Sequence, residues 1–139
     1  MIEYSFDVSD LTAEDVEGFF EGWPVHPSPP VTLSILRGSS HAVVASHGTK
    51  VVGFATALSD GILSSYISLL EVLPTYRKQG IGTELIRRIT SALGQLYMID
   101  IVCDPPLLPF YGRLGFGAAT AAVIRNYSRQ GGATIDPSR

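Results

Sequence analysis

The amino-acid sequence predicts an α+β (α/β mixed) fold in which helices flank a central mixed β-sheet. Three observations lead to this class. Apolar runs of strand length alternate along the chain with amphipathic stretches of helix length. The 139 residues are 45% hydrophobic and 17% charged, which is typical of one globular domain with a sizeable core. No internal repeat or linker divides the chain, so we expect one domain over residues 1–128 and a flexible C-terminal tail over 129–139.

The N-terminal part predicts a strand followed by a helix. Residues 2–8 alternate apolar and polar side chains, which is the pattern of a half-buried strand. Thr12 and, three residues later, Asp15 form a helix-start signal, and apolar side chains at helical spacing follow them. We therefore expect a helix that starts after Thr12 and ends at Gly22.

A second helix and a hairpin are predicted next. Prolines interrupt regular structure after the first helix, because proline fixes φ and removes a backbone donor. Ser28 is positioned to cap a short helix that carries two prolines in its first turn and runs to about Leu36. Residues 41–46 and 51–58 are β-rich and are joined by turn residues, which predicts a hairpin.

The remaining elements alternate between strand and helix. Residues 63–73 form a long, mostly apolar run that is typical of a central strand. An apolar stripe over 81–93 predicts an amphipathic helix, and a buried strand is predicted over 96–102. A short helix from about Pro106 and one or two strands over 118–127 complete the chain. The predicted order is β-α-α-β-β-β-α-β-α-β, in which the last β stands for one or two strands.

The loop between the long strand and the amphipathic helix carries the strongest functional signal. It reads V-L-P-T-Y-R-K-Q-G-I-G-T over 72–83 and has the spacing R-x-x-G-x-G, with Arg77, Gly80 and Gly82. Glycines let backbone N–H groups approach an anion closely, and a helix N-terminus adds unpaired donors and the positive end of its dipole. The spacing matches neither the P-loop nor the dinucleotide-binding fingerprint. We expect a pyrophosphate site, the alternative being an ordinary helix start with exposed basic side chains.

With its V-x-P-x-Y, this loop resembles motif A of the GNAT N-acetyltransferases, which holds the pyrophosphate of acetyl-CoA. The order of elements is also similar to that family over about residues 1–128. The resemblance implies a GNAT-type sheet, acetyl-CoA as cosubstrate, and binding of the pyrophosphate by the backbone amides of the loop. The cofactor-binding residues that it implies are Val72, Arg77, Lys78, Gln79, Gly80, Ile81, Gly82, Thr83, Asp104 and Tyr111.

A second segment, D-P-P-L-L-P-F-Y-G-R-L-G-F over 104–116, resembles the family's N-x-x-A-x-x-F-Y-x-x-L-G-F. Asp104 stands where the family most often has Asn, and it is expected to cap the helix that follows. Tyr111 stands where many members place the tyrosine that protonates the departing thiolate, because attack on the thioester expels CoA as a thiolate. Tyr111 is therefore a candidate catalytic acid. The alternatives are a hydrogen bond to the sulfur without proton transfer, or core packing at helical spacing.

The acceptor amine must be neutral to attack, so a group must remove its proton. Glu71 is the only carboxylate in the run 63–73, and a charge in a buried strand needs a partner or an aqueous cleft. It is a candidate general base or ammonium anchor, or else a structural partner of an arginine or a backbone donor. Strand parity places Tyr66 and Ser68 on the opposite face unless a bulge intervenes, as it commonly does in the family. These two are the alternative substrate-binding residues.

Two further candidates for acceptor binding lie in the proline-rich connection, which borders the acceptor site in the family. They are Trp23 and His26, and the alternative is a stiff surface loop. The segment Leu58-Ser59-Asp60-Gly61 is similar to the arylalkylamine branch of the family, and Asp60 is a second candidate to hold an ammonium group.

Charge and composition limit the classes of ligand, metal and partner that we expect for this protein. The net charge of −3 disfavours nucleic acid and suits a cationic amine. The three histidines lack ligand spacing, so we expect no metal, and the single Cys103 is expected to be a small core residue rather than an acyl carrier. Glu3 and Asp7 interrupt any N-terminal apolar stretch, and no apolar run reaches the length of a membrane span. We therefore expect a cytoplasmic protein that contacts no membrane.

The function predicted from these features is the transfer of an acetyl group from acetyl-CoA to a primary amine, directly and on a small molecule. Two alternatives remain: a non-catalytic acyl-CoA-binding or regulatory module, and an acetyltransferase for protein N-termini or lysines. The sequence does not decide the acceptor, the acyl-chain length or the oligomeric state, for which a homodimer is one option.

Overall fold

The computed structural model describes residues 1–133. A single five-stranded mixed sheet has its strands in the order of the chain, so that neighbours in sequence are neighbours in the sheet. The first four strands are antiparallel and the last is parallel to the fourth. The strands are β1 (Glu3–Ser5), β2 (His41–His47), β3 (Lys50–Ser59), β4 (Ser64–Val72) and β5 (Met98–Ile101). The predicted mixed sheet with flanking helices is confirmed.

Three α-helices accompany this sheet: α1 (Pro29–Gly38), α2 (Ile81–Leu93) and α3 (Leu108–Gly112). The Ser28 side chain accepts the N–H of Val31, which caps α1 as predicted. The predicted stripe on α2 is the buried side of that helix and consists of Ile81, Leu85, Ile86, Ile89 and Leu93. Short 3-10 turns lie at Ala13–Val16, Pro74–Tyr76, Pro105–Leu107 and Tyr127–Arg129.

The core has a layer on each face of the sheet. On one face, the rings of Phe19 and Phe20 pack against Phe54 of β3, with centroids 4.8 and 6.2 Å apart. On the other face α2 approaches β3 so closely that a Cβ atom at Gly53 would lie 3.1 Å from Ile81 and from Leu85. Full burial of each large apolar side chain stabilises the fold by about 1.5–3 kcal/mol, which anchors α2 on the sheet.

The prediction of a helix that starts after Thr12 and ends at Gly22 is wrong. Only the 3-10 turn Ala13–Val16 forms, and the Asp15 carboxylate accepts the Thr12 N–H at 2.9 Å as a capping residue does. Beyond the turn, Gly18 and Phe20 have φ values of 93° and 66°, in the left-handed region that an α-helix excludes. Local backbone conformation and the packing of two phenylalanines therefore replace helical hydrogen bonds here.

The strands predicted over 118–127 are also absent. Residues 117–126 belong to no helix or strand and are exposed. Within residues 1–133, β5 pairs with β4 alone, so its other edge has no strand partner. After the Tyr127–Arg129 turn the chain returns to the N-terminal part of the molecule, where a Cβ atom at Gly131 would lie 3.2 Å from Val25. The rest of the predicted tail, 134–139, lies outside the described residues.

Strand β4 diverges from β5 along its length. Only the first half of β4 pairs with β5, in a register that ends at Ile67 opposite Ile101. The register of β4 against β3 shifts between Thr56 and Ala57, which leaves Ser68 without a partner and makes it a β-bulge. The C-terminal half of β4 thus borders a gap on the side of β5. No helix among the residues described is long and apolar enough to cross a lipid bilayer.

Candidate active site

The loop before α2 has the backbone of an anion cradle. Gly80 is the N-cap of α2, with φ 83° and no side chain to cap the helix. The N–H of Glu84 donates to the Gly80 carbonyl at 3.1 Å, so the amides of Ile81, Gly82 and Thr83 precede the first donor of the helix and have no acceptor within it. Gly80 and Lys78, which has φ 62°, both adopt the left-handed backbone that occurs in anion-binding loops.

This loop, the end of β4 and the residues of α3 line a cavity of about 510 Å³. A Cβ atom at Gly82 would face it and lie 3.8 Å from Phe110 and 3.9 Å from Val72, so the glycine keeps the cavity open. The free amides and the glycine fit a pyrophosphate and the thin chain attached to it. Of the residues predicted to bind the cofactor, those that line the cavity are Val72, Arg77, Lys78, Gly80, Ile81, Gly82, Thr83 and Tyr111.

The side chain of Arg77 is occupied by protein groups. Its guanidinium contacts the Glu21 carboxylate at 2.9 Å and donates to the Val72 carbonyl at 3.1 Å. The side chains of Arg77 and Glu21 are 50% and 55% exposed, so water and salt screen the pair and an incoming anion can compete with Glu21. Arg77 therefore ties the cradle to the residues that follow Phe20.

Two predicted cofactor residues lie outside this cavity. The Gln79 side chain donates to the Thr75 carbonyl at 3.4 Å and closes the loop on itself. Asp104 is the N-cap residue of the Pro105–Leu107 turn, but its side chain makes no capping hydrogen bond. Its backbone carbonyl accepts the Leu107 N–H at 2.9 Å instead, so the expectation of a side-chain cap at Asp104 is wrong.

Tyr111 on α3 is the most buried polar side chain of the cavity, with 5% of its surface exposed. Its ring packs edge-on against Phe110 and Phe116, with centroids 4.9 and 5.6 Å apart. Burial, and secondarily the nearby Cys103, raises the pKa of Tyr111 to about 12, so the phenol keeps its proton throughout the physiological range. The hydroxyl is therefore available as a donor.

Glu71 points to the face of the sheet that carries the phenylalanines. It pairs in register with Phe54, and its Oε1 accepts the N–H of Phe20 at 2.9 Å. Burial raises the pKa of Glu71, while the Phe20 hydrogen bond and the charge of Arg77 oppose the shift. The hydrogen bond to Phe20 agrees with a structural role for Glu71, and its place in the wall of the cavity of about 510 Å³ agrees with a role as general base or ammonium anchor.

A second cavity, of about 740 Å³, lies beside β5. Tyr66, Asp100, Cys103 and Tyr111 line it together with residues 117–121. Tyr111 is thus shared by both cavities and stands at their junction. Asp100 was not among the candidates from the sequence, although a single carboxylate in the apolar run 96–102 is a signal of the same kind as Glu71.

The four residues predicted to bind the acceptor do not form one wall. Trp23 and His26 line a separate cavity of about 390 Å³, where Trp23 packs on Phe20 with centroids 4.7 Å apart. Tyr66 lines the cavity beside β5, and the hydroxyl of Ser68 lies 2.8 Å from that of Thr56. The sequence pattern thus identified polar and aromatic residues near the sheet, but it could not predict which cavity each of them lines.

Asp60 has a structural role in the β3–β4 turn. Its Oδ1 accepts the N–H groups of Ile62, Leu63 and Ser64 at 2.8, 2.8 and 3.2 Å. These bonds lower the pKa of Asp60 to about 2. The carboxylate is committed to the turn, which disfavours the idea that it holds an acceptor ammonium. Among residues 1–133, no group of three or more His, Cys, Asp or Glu side chains is arranged to hold a metal ion.

A mixed sheet whose fourth strand leads through an amide-rich glycine loop into a helix defines a class of acyltransferase folds. The chain belongs to the acetyltransferase (GNAT) family, whose sequence model matches residues 8–116. The family uses acetyl-CoA as the acetyl donor, and the resemblance noted in the sequence is thereby confirmed.

Individual relatives agree with this assignment. A crystal structure of a candidate acetyltransferase from Deinococcus radiodurans R1 is 42% identical, with a TM-score of 0.93, over 96% of this chain and 94% of that one. A GNAT family protein from Streptococcus pneumoniae TIGR4 is 24% identical, with a TM-score of 0.70, over 91% and 97% of the two chains, and shows a similar fold. The histone acetyltransferase TAP1 of Glycine max is 30% identical over 78% of this chain. The chain spans about half the length of the curated relatives that it matches.

Proposed function

We propose that this protein transfers the acetyl group of acetyl-CoA directly to a primary amine of a small molecule. The observation that carries the proposal is the position of Tyr111, whose buried phenol stands between the cavity behind the amide cradle and the cavity beside β5. A thioester that enters from the first cavity and an amine that enters from the second meet at this side chain. No covalent enzyme intermediate is needed, because both substrates are present together.

The cradle binds and orients the donor. Backbone N–H groups at the start of α2 accept the pyrophosphate, and the positive end of the helix dipole favours its charge. The pantetheine chain then follows the gap beside the C-terminal half of β4, past Val72 and Gly82. Because the cradle holds one end of the donor, the thioester carbon at the other end is kept near Tyr111. The reaction with a bound amine is then effectively unimolecular, which lowers its entropic barrier.

Tyr111 assists departure of the thiolate by hydrogen bonding. A phenol with a pKa of about 12 is a weak acid beside a thiol with a pKa of about 8.5, so complete proton transfer is unfavourable by a factor on the order of 10³. A hydrogen bond from the phenol still stabilises the negative charge as it forms on sulfur. The raised pKa of Tyr111 thus favours a hydrogen bond to the sulfur without proton transfer over the role of catalytic acid.

Each of the two cavities that meet at Tyr111 is lined by one carboxylate. Glu71 lines the cavity behind the amide cradle, here called the donor cavity. Burial raises the pKa of Glu71, which makes this carboxylate a better proton acceptor. Asp100 lines the cavity beside β5 and is exposed there. We assign Glu71 to removal of the ammonium proton, directly or through water, and Asp100 to attraction of the cationic amine.

A small acceptor suits a cavity of about 740 Å³ beside β5, and a cationic acceptor suits the net charge of −3. The competing acceptor is a protein N-terminus or lysine, which the name of the Glycine max relative, a histone acetyltransferase, favours. The chain covers 53% of that relative, so the comparison leaves the substrate open. A non-catalytic acyl-CoA-binding module is the third possibility, and the buried Tyr111 argues against it.

The test is a screen of amines with acetyl-CoA in which released thiol is measured. Tyramine- and tryptamine-like amines are compared with lysine peptides and aminoglycosides by kcat/KM. We expect the small aromatic amines to be preferred. Preference for peptides would move the acceptor to the protein class, and release of thiol by none of the amines would favour the binding module.

Location in the cell is a separate proposal. A cytoplasmic protein is expected from the sequence, whereas one relative from Arabidopsis thaliana carries the word chloroplastic in its name. Fractionation of cells that produce the full-length protein, followed by immunodetection, tests the proposal, and recovery in an organelle would contradict it.

A further inference from the structure

Residues 117–126, here called the strap, are anchored at both ends and exposed between them. Phe116 precedes the strap and packs against Tyr111 in the core. Beyond the strap, the chain returns to Val25, near Gly131. In the middle, Val123 and Ile124 are 52% and 87% exposed. A segment that the sequence predicts as a strand thus lies in solvent with its apolar side chains and backbone groups largely uncovered.

Strand β5 has an edge to which a further strand could add. It pairs only with β4, so the backbone groups of its outer edge have no strand partner within residues 1–133. The surface at its start is apolar, because Tyr97 and the neighbouring Ile62 are 83% and 84% exposed. An uncovered edge of this kind is a template for an added strand. One chain therefore carries both an unpaired edge and an unpaired segment with strand-forming sequence.

The two do not satisfy each other within one molecule. Residues 117–121 and the residues of β5 line the same cavity of about 740 Å³, which separates them. The strap is also held away at its far end by the contact near Gly131. Pairing between two molecules removes this conflict, because the strap of each copy can then reach the edge of the other.

Charge supports the same pairing. Asp100 on β5 and Arg125 in the strap form no salt bridge among the described residues. The Arg125 guanidinium donates one hydrogen bond there, to the carbonyl of the adjacent Ile124 at 3.4 Å. An exchange in the register that sets Arg125 opposite Asp100 brings this cation to the carboxylate twice, once on each side of a two-fold axis.

We infer that the protein is a two-fold symmetric homodimer in which the strap of each copy adds as a strand to β5 of the other. The added strand covers Val123 and Ile124 and satisfies the outer edge of β5. It also closes the cavity that Tyr66, Asp100 and Tyr111 line, so that the partner copy contributes to the wall beside the reacting groups. The statement about this wall rests on the proposed function, whereas the dimer itself does not.

The first measurement is the molar mass of the full chain in solution by sedimentation or light scattering. We expect twice the chain mass of 14.9 kDa. Ile124→Asp should halve the measured mass at the same concentration, because it places a charge in the proposed interface. Phe6→Asp is the matched control: Phe6 is 44% exposed and follows β1 at the opposite edge of the sheet, so this variant should remain a dimer. A monomeric wild type, or a dimer that survives Ile124→Asp, overturns the inference.

The second measurement tests which residues meet. Asp100→Arg and Arg125→Asp each place like charges at both contacts of the symmetric dimer, so each variant alone should be monomeric. An equal mixture of the two should recover the dimer mass, because opposite charges then meet at both contacts of the mixed pair. A mixture that stays monomeric shows that the two residues do not face each other and rejects the exchange. Neither measurement uses acetyl-CoA or an amine, so failure here is distinct from failure of the proposed activity.

Discussion

At the scale of single residues, the environment of Tyr111 determines what its hydroxyl can do. The phenol is held by two aromatic rings and is nearly excluded from water, which raises its pKa to about 12. A fixed, protonated donor beside a developing thiolate requires no reorganisation when the charge forms. The same burial makes the ring part of the core, so packing and function are compatible at this position.

Tyr111→Phe separates the two roles. The ring is kept, so we expect acetyl-CoA affinity to change little while kcat falls by roughly 10²-fold, the lower end of the range for loss of one preorganised hydrogen-bond donor. Steady-state kinetics with a turned-over amine and calorimetry with acetyl-CoA measure the two effects. Tyr97→Phe, at an 83% exposed tyrosine outside both cavities, serves as the control. Unchanged turnover, with the chemical step shown to limit the rate, would leave Tyr111 a packing residue.

Glu71 gives a prediction about stability and pH. Because burial raises its pKa, the folded protein binds this proton more tightly than the unfolded chain does. The resulting stabilisation is complete below the unfolded pKa of about 4.3 and is lost as the pH rises through the folded pKa. Glutamine cannot ionise, and its amide oxygen can still accept the Phe20 N–H, so Glu71→Gln should gain stability over the wild type as pH rises from acid to neutral.

Urea midpoints of both proteins across the acid-to-neutral range measure this difference. Glu14→Gln, at an exposed carboxylate of the Ala13–Val16 turn, is the matched control and should show no such trend. A stability difference between wild type and Glu71→Gln that is the same at every pH would contradict the prediction. Activity of the same variant, measured with a turned-over amine, then tests separately whether Glu71 removes the ammonium proton.

The sequence was a good guide to individual residues where their chemistry is local. Gly80, Gly82 and Lys78 lie on one loop, so their spacing alone was enough to predict that they share one site, and all three line the same cavity. Trp23 and Tyr66 are more than forty positions apart, and no local pattern specifies that they line different cavities. The binding and catalytic roles assigned to all of these residues stay predictions.

At the scale of elements, hydrophobic periodicity predicted the pieces that bury one face. Helix α2 and strands β2 to β4 occur where the pattern places them, because burial of each stripe or run is favourable in only one conformation. The pattern failed over 12–22 and 118–127 for two different reasons. Left-handed backbone at Gly18 and Phe20 ends helical hydrogen bonding, and the second segment stays across a cavity from β5 and pairs with no strand within residues 1–133.

The junction of β4 and α2 gives the element-scale prediction. A Cβ atom at Gly82 meets only ordinary contacts, at 3.8 Å or more, so Gly82→Val should fold. Its larger side chain would occupy the cavity between the amides and Phe110, and we expect the thermal stabilisation by acetyl-CoA to disappear. Gly38→Val, at the end of α1 where a Cβ atom has nothing within 4 Å, is the control and should keep the stabilisation. A normal ligand-induced shift in Gly82→Val would place the pyrophosphate elsewhere.

At the scale of the whole molecule, the donor cavity joins parts of the chain that are distant in sequence. Its walls come from the end of β4, the loop before α2 and the turn and helix around Phe110. A ligand that contacts all three favours the folded state over the unfolded one, in which these segments separate. Because a domain of this size unfolds in one cooperative transition, a ligand bound at this one cavity raises the melting temperature of the whole domain.

Acetyl-CoA at a hundred times its Kd should therefore stabilise the protein by about 2.7 kcal/mol. For a domain of this length the melting temperature should rise by roughly 5–10 °C, measurable by scanning calorimetry or a dye-based melt. Adenosine, which lacks the pyrophosphate that the α2 amides are expected to bind, should give a much smaller shift at the same concentration. Chelator should leave the acetyl-CoA shift unchanged, since we expect backbone amides and apolar walls, and no metal ion, to hold the donor. The absence of any shift with saturating CoA or acetyl-CoA would remove the basis for placing the donor in this cavity.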